Sequence, residues 1–89
     1  MVDFKYETFI ADSNIHGQGR FTKEFIDKGC IVLHIDGNIN RNENGSYVNH
    51  SLSNNLDYVA HNTWKATRDI QIGEELTMNY SQWITGFSF

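Results

Sequence analysis

Apolar and charged residues alternate at the start of the chain, where Val2, Phe4, Tyr6 and Ile10 share one parity. A period of two is typical of a half-buried β-strand, so this segment predicts an opening strand. A short apolar run at residues 30–35 predicts a buried strand, and further short strands are predicted at residues 56–60, 63–67 and 75–79. No window shows a sustained helical period. The pattern therefore predicts a mainly β fold built from several short sheets.

Glycine, asparagine and aspartate carry the predicted turns, because the sequence contains no proline. Asp36-Gly37 and Asn44-Gly45 are pairs that tolerate the positive φ of type I′ turns, and they predict tight hairpin connections. The Asn-rich residues between the two pairs predict an exposed loop.

Composition limits the classes of protein to consider. The 89 residues allow one small domain, which we expect to span residues 1–89. The net charge of −4 argues against direct nucleic-acid binding, which needs a basic surface. No apolar stretch approaches the roughly 20 residues that span a bilayer, so we expect no membrane association. Cys30 is the single cysteine, and an intracellular location is the simpler interpretation.

Three separated segments contain candidate chemistry, and the first is Gly17-Gln18-Gly19. Two glycines around one residue let the backbone approach a ligand closely, although a simple tight turn has the same pattern. The third glycine and the following helix of a dinucleotide-binding fingerprint are missing. That class of site is therefore excluded.

The second segment, residues 47–55, places Asn49-His50-Ser51 directly after two apolar residues. Its amide and imidazole groups suit the amine and ring edges of a ligand. A loop whose Asn side chains bond their own backbone is the alternative. His50 has no His or Cys at a spacing typical of zinc sites, so we expect no metal.

The third segment, residues 66–80, turns at Gly73 into a predicted strand. Met78 and Tyr80 lie two residues apart, so a strand would place both side chains on one face. They would then line a channel, or else pack in the core with the phenol hydroxyl bonded near the surface.

In chain order, the motifs G-x-G, N-H-S-x-x-x-N and R-D-I-x-x-G-E-E-L-T-x-x-Y resemble those of the SET domain of protein-lysine methyltransferases. The resemblance covers residues 17–80. It implies a minimal SET domain, a β-clip of several short sheets in which a C-terminal segment passes beneath a loop to form a pseudoknot. It also implies that S-adenosylmethionine (AdoMet) donates a methyl group to the ε-amine of a lysine in a protein or peptide substrate.

The same resemblance implies roles for individual residues. Tyr80 corresponds to the catalytic tyrosine. The residues expected to contact AdoMet are Gly17, Gln18, Gly19, Asn49, His50, Tyr80 and Trp83. The residues expected along the substrate channel are Tyr47, Met78 and Phe87. Met78 stands where many members of the family have an aromatic residue that limits how many methyl groups fit.

The sequence departs from the family pattern at several places. Leu52 stands where many members have a zinc-binding cysteine, so no zinc is expected. Residues 36–46 stand where the family normally inserts a larger substrate-binding region. The C-terminal residues include three aromatic side chains, those of Trp83, Phe87 and Phe89. We expect a homodimer to bury them.

Two other interpretations stay open. A degenerate SET domain would keep AdoMet or peptide binding without catalysis. A non-catalytic β-clip module of the SAF type would share the R-D-I-x-x-G-E-x-L-T phrase but lack the N-H-S motif and the final tyrosine.

Overall fold

The computed structural model describes residues 2–36 and 40–85. Within these residues, the strands are β1 (Val2–Phe4), β2 (Thr8–Asp12), β3 (Gln18–Thr22), β4 (Ile31–Ile35), β5 (Asn49–His50), β6 (Leu56–Ala60), β7 (Thr63–Ala66) and β8 (Thr77–Met78). The helices are α1 (Arg41–Asn44) and α2 (Tyr80–Thr85). Neither helix, nor any other in the described residues, has the length and apolar character needed to cross a membrane.

The strands form a six-stranded sheet in the order β1-β4-β7-β6-β8-β5 and a separate two-stranded sheet of β2 and β3. In the larger sheet, the neighbouring strands β1, β4, β7 and β6 pair antiparallel, whereas β8 runs parallel to both β6 and β5. The mainly β fold expected from the alternating pattern is therefore confirmed. The predicted strands at 30–35, 56–60 and 63–67 match β4, β6 and β7 to within one residue at each end.

In the structure, the segment that was expected to form one opening strand forms two strands, which belong to different sheets. β1 pairs with β4, and β2 pairs with β3. The chain changes sheet between them, where the backbone N–H of Lys5 still donates to Val32 (2.7 Å) but Glu7 is bonded to Lys23 and Glu24. Alternation alone did not reveal this break, because the apolar residues Val2, Phe4, Tyr6 and Ile10 continue one parity across it in the sequence.

The last strand, β8, lies between β5 and β6 although these two strands are consecutive in sequence. Asn49 and His50 pair with β8 on one side, and Leu56 pairs with Met78 on the other. The segment that enters β8 thus passes across the 51–55 connection, as the expected pseudoknot requires.

Asn55 holds this crossing together from a buried position at the end of the 51–55 connection. Its Nδ2 donates to the carbonyl of Glu75 (2.9 Å), and its Oδ1 accepts from the N–H of Thr77 (2.8 Å). One side chain therefore satisfies two backbone groups of the crossing segment, which would otherwise be buried without partners.

The core surrounds Trp64, which is fully buried. Tyr58 and Trp83 each meet its ring edge to face, with centroids 5.1 and 5.0 Å away. This geometry is favourable for aromatic pairs. The remaining core is aliphatic, apart from Met78: Ile26, Val32, Leu33, Ile35, Val48, Leu56, Ala66, Ile70 and Leu76.

Two connections differ from the predicted turns. Asn44-Gly45 ends helix α1 instead of forming a hairpin, and Gly45 has the left-handed φ of 79° that suits a helix C-cap. The hairpin between β6 and β7 turns at His61 and Asn62, both of which have positive φ (52° and 57°). The first predicted pair, Asp36-Gly37, lies partly outside the described residues.

Candidate functional site

An open cleft of about 330 Å³ brings together residues from four separate parts of the chain. The residues that line it are Ile15, His16, Arg41, Asn42, Asn49, His50 and Tyr80. They come from the 13–17 loop, from α1, from β5 and from the start of α2. Because β8 pairs with β5 and leads directly into α2, the crossing of the chain brings the N-H-S motif beside Tyr80.

Asn49 is 2% exposed and anchors the 13–17 loop against β5. Its Nδ2 lies within hydrogen-bond distance of the carbonyl of His16 (3.1 Å), Ser13 Oγ (3.1 Å) and Glu75 Oε2 (2.8 Å). The amide nitrogen is therefore committed to the protein. Within residues 2–36 and 40–85, the Oδ1 of Asn49 is the side-chain atom left for a ligand.

Glu75 is the acidic centre of this part-buried network. Its carboxylate accepts from Ser13 Oγ at 2.8 Å as well as from Asn49. Ser13 Oγ in turn accepts the N–H groups of Ile15 and His16 (2.9 and 3.4 Å). The carboxylate thus orders the loop that forms one wall of the cleft.

The two positions of the G-x-G motif require glycine for different structural reasons. Gly17 has a left-handed φ of 49° at the end of the loop. Gly19 is buried, and a Cβ atom there would overlap Glu75 Oε2 and come within 2.8 Å of Glu75 Cδ. Gly19 therefore gives room to a protein carboxylate, not to the open cleft. Gln18 between them is exposed.

His50 and Tyr80 form one unit at the cleft. The backbone N–H of Tyr80 donates to His50 Nδ1 (3.0 Å), and the two rings lie 5.1 Å apart. The bond requires Nδ1 to be unprotonated. His50 therefore caps the first turn of α2 and sets the position of the tyrosine backbone.

The hydroxyl of Tyr80 donates to the carbonyl of Val48 at 2.7 Å. Burial raises the pKa of the phenol, and the positive charge of Arg41 opposes this shift as a smaller effect. The group is consequently a neutral hydroxyl whose proton is committed to Val48. Its oxygen lone pairs are the part that can accept a ligand group.

Several predicted site residues lie away from the cleft wall. Met78 is buried in the core at 1% exposure, and Tyr80 begins a helix, so the two do not share one face of a strand. Trp83 packs against Trp64 in the core. Tyr47 is half-buried beneath the guanidinium of Arg41, 5.3 Å from its ring centroid. Phe87 lies outside the described residues.

Other residues of the site were not predicted from the sequence. Arg41 and Asn42 belong to the Asn-rich segment that was predicted as an exposed loop, and only the helix brings them to the cleft. Ile15 and His16 precede the G-x-G motif. Glu75 lay within the G-E-E-L-T phrase, but nothing in its spacing indicated that Gly19 faces it. In the described residues, no group of three His, Cys, Asp or Glu is placed to hold a metal ion.

Comparison with protein families gives a match to the SET domain over residues 10–81. The match spans most of the chain and includes all three motifs. Comparisons with curated proteins and with solved structures give no match.

Proposed function

Because this chain belongs to the SET-domain family, we propose that it is an AdoMet-dependent methyltransferase that acts on the ε-amine of lysine in a protein or peptide. The observation that carries the proposal is the cleft that unites Asn49, His50 and Tyr80. SET domains are generally lysine methyltransferases, and these are the residues to which the family motifs give cofactor-binding and catalytic roles.

The residues of the cleft fit AdoMet in size and chemistry. A volume of about 330 Å³ lies within the range of about 300–1,000 Å³ that is usual for small-molecule sites. Asn49 Oδ1 offers an acceptor for the ammonium group. Arg41 offers a cation, and the His50 ring offers a flat surface for the adenine. When bound, AdoMet supplies an electrophilic methyl group on a sulfonium sulfur.

Tyr80 is suited to orient the reacting groups without changing its own protonation. Its proton is donated to Val48, so the oxygen presents lone pairs to polarised C–H groups or to the N–H of an entering amine. Each such weak contact contributes about 0.5–1 kcal/mol, and alignment of the two reactants contributes more. The lysine amine must be neutral to attack, so the substrate has to lose a proton before transfer.

The route taken by the substrate lysine is the less direct part of the proposal. Tyr47 lies beside the cleft residue Arg41. Met78 is buried behind the site, so an influence on product multiplicity would act through packing. Phe87 lies outside the described residues. The net charge of −4 suits a basic peptide as substrate.

Calorimetric titration with AdoMet, followed by transfer of labelled methyl groups to lysine peptides, tests the function. We expect saturable binding, and we expect Tyr80→Phe to lower turnover about 10- to 100-fold while AdoMet affinity changes little. Tyr58→Phe is the matched control, because its hydroxyl bonds Asn62 in the hairpin and lies outside the cleft. Failure of the unaltered chain to bind AdoMet at millimolar concentration would contradict the proposal.

Binding without turnover on any lysine peptide would instead favour the degenerate form of the domain. Asn49→Ala is a poor diagnostic variant, because this side chain also holds the 13–17 loop. A loss of affinity in that variant would not distinguish a lost contact with AdoMet from a displaced loop.

We further propose that the chain forms a homodimer. Trp83 is buried within the monomer, so the reason for self-association rests on Phe87 and Phe89, which lie outside the described residues, and on exposed apolar side chains such as Leu52 (84%) and Ile72 (69%). Sedimentation at micromolar concentration that shows only monomer would contradict it.

A further inference from the structure

The two arginines near α1 differ in how their guanidinium groups are satisfied. Arg20 donates from Nε to the carbonyl of Ser46 (2.9 Å) and from its terminal nitrogens to Gly45 (2.6 Å) and Thr8 (3.2 Å). Its guanidinium also lies 4.7 Å from the ring centroid of Phe4. All three nitrogens of Arg20 therefore have structural partners.

Arg41 has donors left over. Its Nε is buried and has no acceptor among the described residues. One terminal nitrogen makes a single long bond to the carbonyl of Tyr47 (3.4 Å), and the guanidinium rests over the Tyr47 ring. A buried charged donor without an acceptor is unfavourable, and an acceptor from a bound ligand, ion or water would remove the cost.

The position of Arg41 indicates what that partner is. It is the only Lys or Arg among the described residues that line the cleft, and it lies close enough to Tyr80 to affect its electrostatics. A guanidinium offers paired donors that match a carboxylate in a bidentate arrangement. AdoMet contains one anionic group, the α-carboxylate. Its ammonium and sulfonium groups are cations and repel a guanidinium, and the amine of the substrate lysine does not attract one.

We propose that Arg41 binds the α-carboxylate of AdoMet and thereby makes the short α1 segment part of the cofactor site. This inference rests on the proposed function. α1 is positioned for the task by Asn40, whose side chain accepts the N–H groups of Asn42 and Glu43 (3.0 and 3.2 Å), and by the left-handed Gly45 that ends the helix. The short segment between β4 and β5 thus supplies a ligand-binding side chain.

A comparison of AdoMet with decarboxylated AdoMet tests the assignment by calorimetry. We expect Arg41→Gln to weaken AdoMet binding about 10- to 100-fold, and to change the affinity for the decarboxylated compound less than about 3-fold. Arg41→Lys should recover only part of the loss, because a lysine keeps the charge but not the paired donors. Arg68→Gln is the matched control. Arg68 is an exposed arginine paired with Glu74, and its replacement by glutamine removes the same charge.

The possible outcomes separate this inference from the proposed function. If Arg41→Gln weakens both compounds equally, or neither, while the unaltered chain binds AdoMet, the carboxylate assignment is wrong and the methyltransferase proposal stands. If the unaltered chain binds neither compound, both proposals fail. The affinities of the unaltered chain for the two compounds provide a measurement that does not depend on the folding of any variant. Equal affinities there would also overturn the assignment.

Discussion

Replacement of Gly19 by alanine tests whether the G-x-G motif serves the Glu75 network. A Cβ atom at Gly19 would overlap the Oε2 of Glu75 and would lie 2.8 Å from its Cδ and 3.2 Å from Ser13 Cβ. The carboxylate is the movable partner, so we expect it to rotate away. It would then lose its bonds to Ser13 Oγ and Asn49 Nδ2, both 2.8 Å long.

The magnitude follows from those two hydrogen bonds. A hydrogen bond to a charged group contributes about 1.5–3 kcal/mol, and a displaced carboxylate recovers part of this in water. Alanine at a position with ordinary φ returns about 0.4–1 kcal/mol through the unfolded state. We therefore expect Gly19→Ala to lower the free energy of unfolding by about 2–3 kcal/mol, which is roughly 10–20 °C in Tm for a domain of this size.

Urea denaturation of a double-mutant cycle with Glu75→Ala is the measurement. In the Glu75→Ala background the overlap is absent, so Gly19→Ala should be neutral or slightly stabilising. Gly17→Ala is the comparison at the neighbouring glycine, where no atom lies within 4 Å and only the positive φ opposes a side chain, at about 1–2 kcal/mol. Equal costs of Gly19→Ala in both backgrounds would refute the contact with Glu75 as the cause.

Three further predictions concern the core, the crossing and the pH response. Trp83→Ala should lower the free energy of unfolding by about 3–5 kcal/mol in urea denaturation, because Trp83 packs on Trp64; a cost below about 1 kcal/mol would argue against its core position. Asn55→Ala should cost about 2–3 kcal/mol and speed amide exchange at Thr77, whose N–H it accepts; unchanged exchange would contradict its role. Burial raises the pKa of Tyr80 above its ordinary value near 10, so single-turnover methyl transfer should rise from pH 7 to about pH 10 as the lysine loses its proton, with no earlier decline. Above about pH 10 the unfolded state releases the phenol proton more readily than the folded state, so stability should fall as pH rises, and a stability that rises there would contradict the shift.

The strands were the most predictable part of the fold. β4 lies within a short apolar run, β6 is bounded by polar residues, and the sequence pattern identifies both within one residue. Helix α2 was missed because six residues are too few for a helical period to appear. That error also placed Tyr80 on the same face as Met78, since the strand predicted over residues 75–79 is only Thr77–Met78 and the helix begins at Tyr80.

Turn chemistry was informative about conformation but not about context. Gly45 does adopt the positive φ that its pairing with Asn44 indicated, yet it ends a helix instead of joining two strands. The real hairpin uses His61 and Asn62, and asparagine is among the few non-glycine residues that enter the left-handed region readily. At Gly45 the local sequence therefore predicted the backbone conformation but not the helix that this residue ends.

The motif residues divide into a group that stabilises the fold and a tyrosine whose hydroxyl lies in the cleft. Gly19, Asn55 and Glu75 stabilise the crossing and the loop, and their side chains or backbone contact other parts of the protein. A match to the family over residues 10–81 would survive in a chain that kept these residues and lost catalysis, because they are required for the fold. The Tyr80 hydroxyl is different: its bond to Val48 contributes only about 1 kcal/mol to folding, so stability alone gives little reason to retain it. Its place in the cleft, beside an arginine with unused donors, therefore supports the proposed catalysis more directly than the conformity of the rest of the motif does. Tyr80→Phe, read in turnover and in stability together, is the variant that separates the two groups.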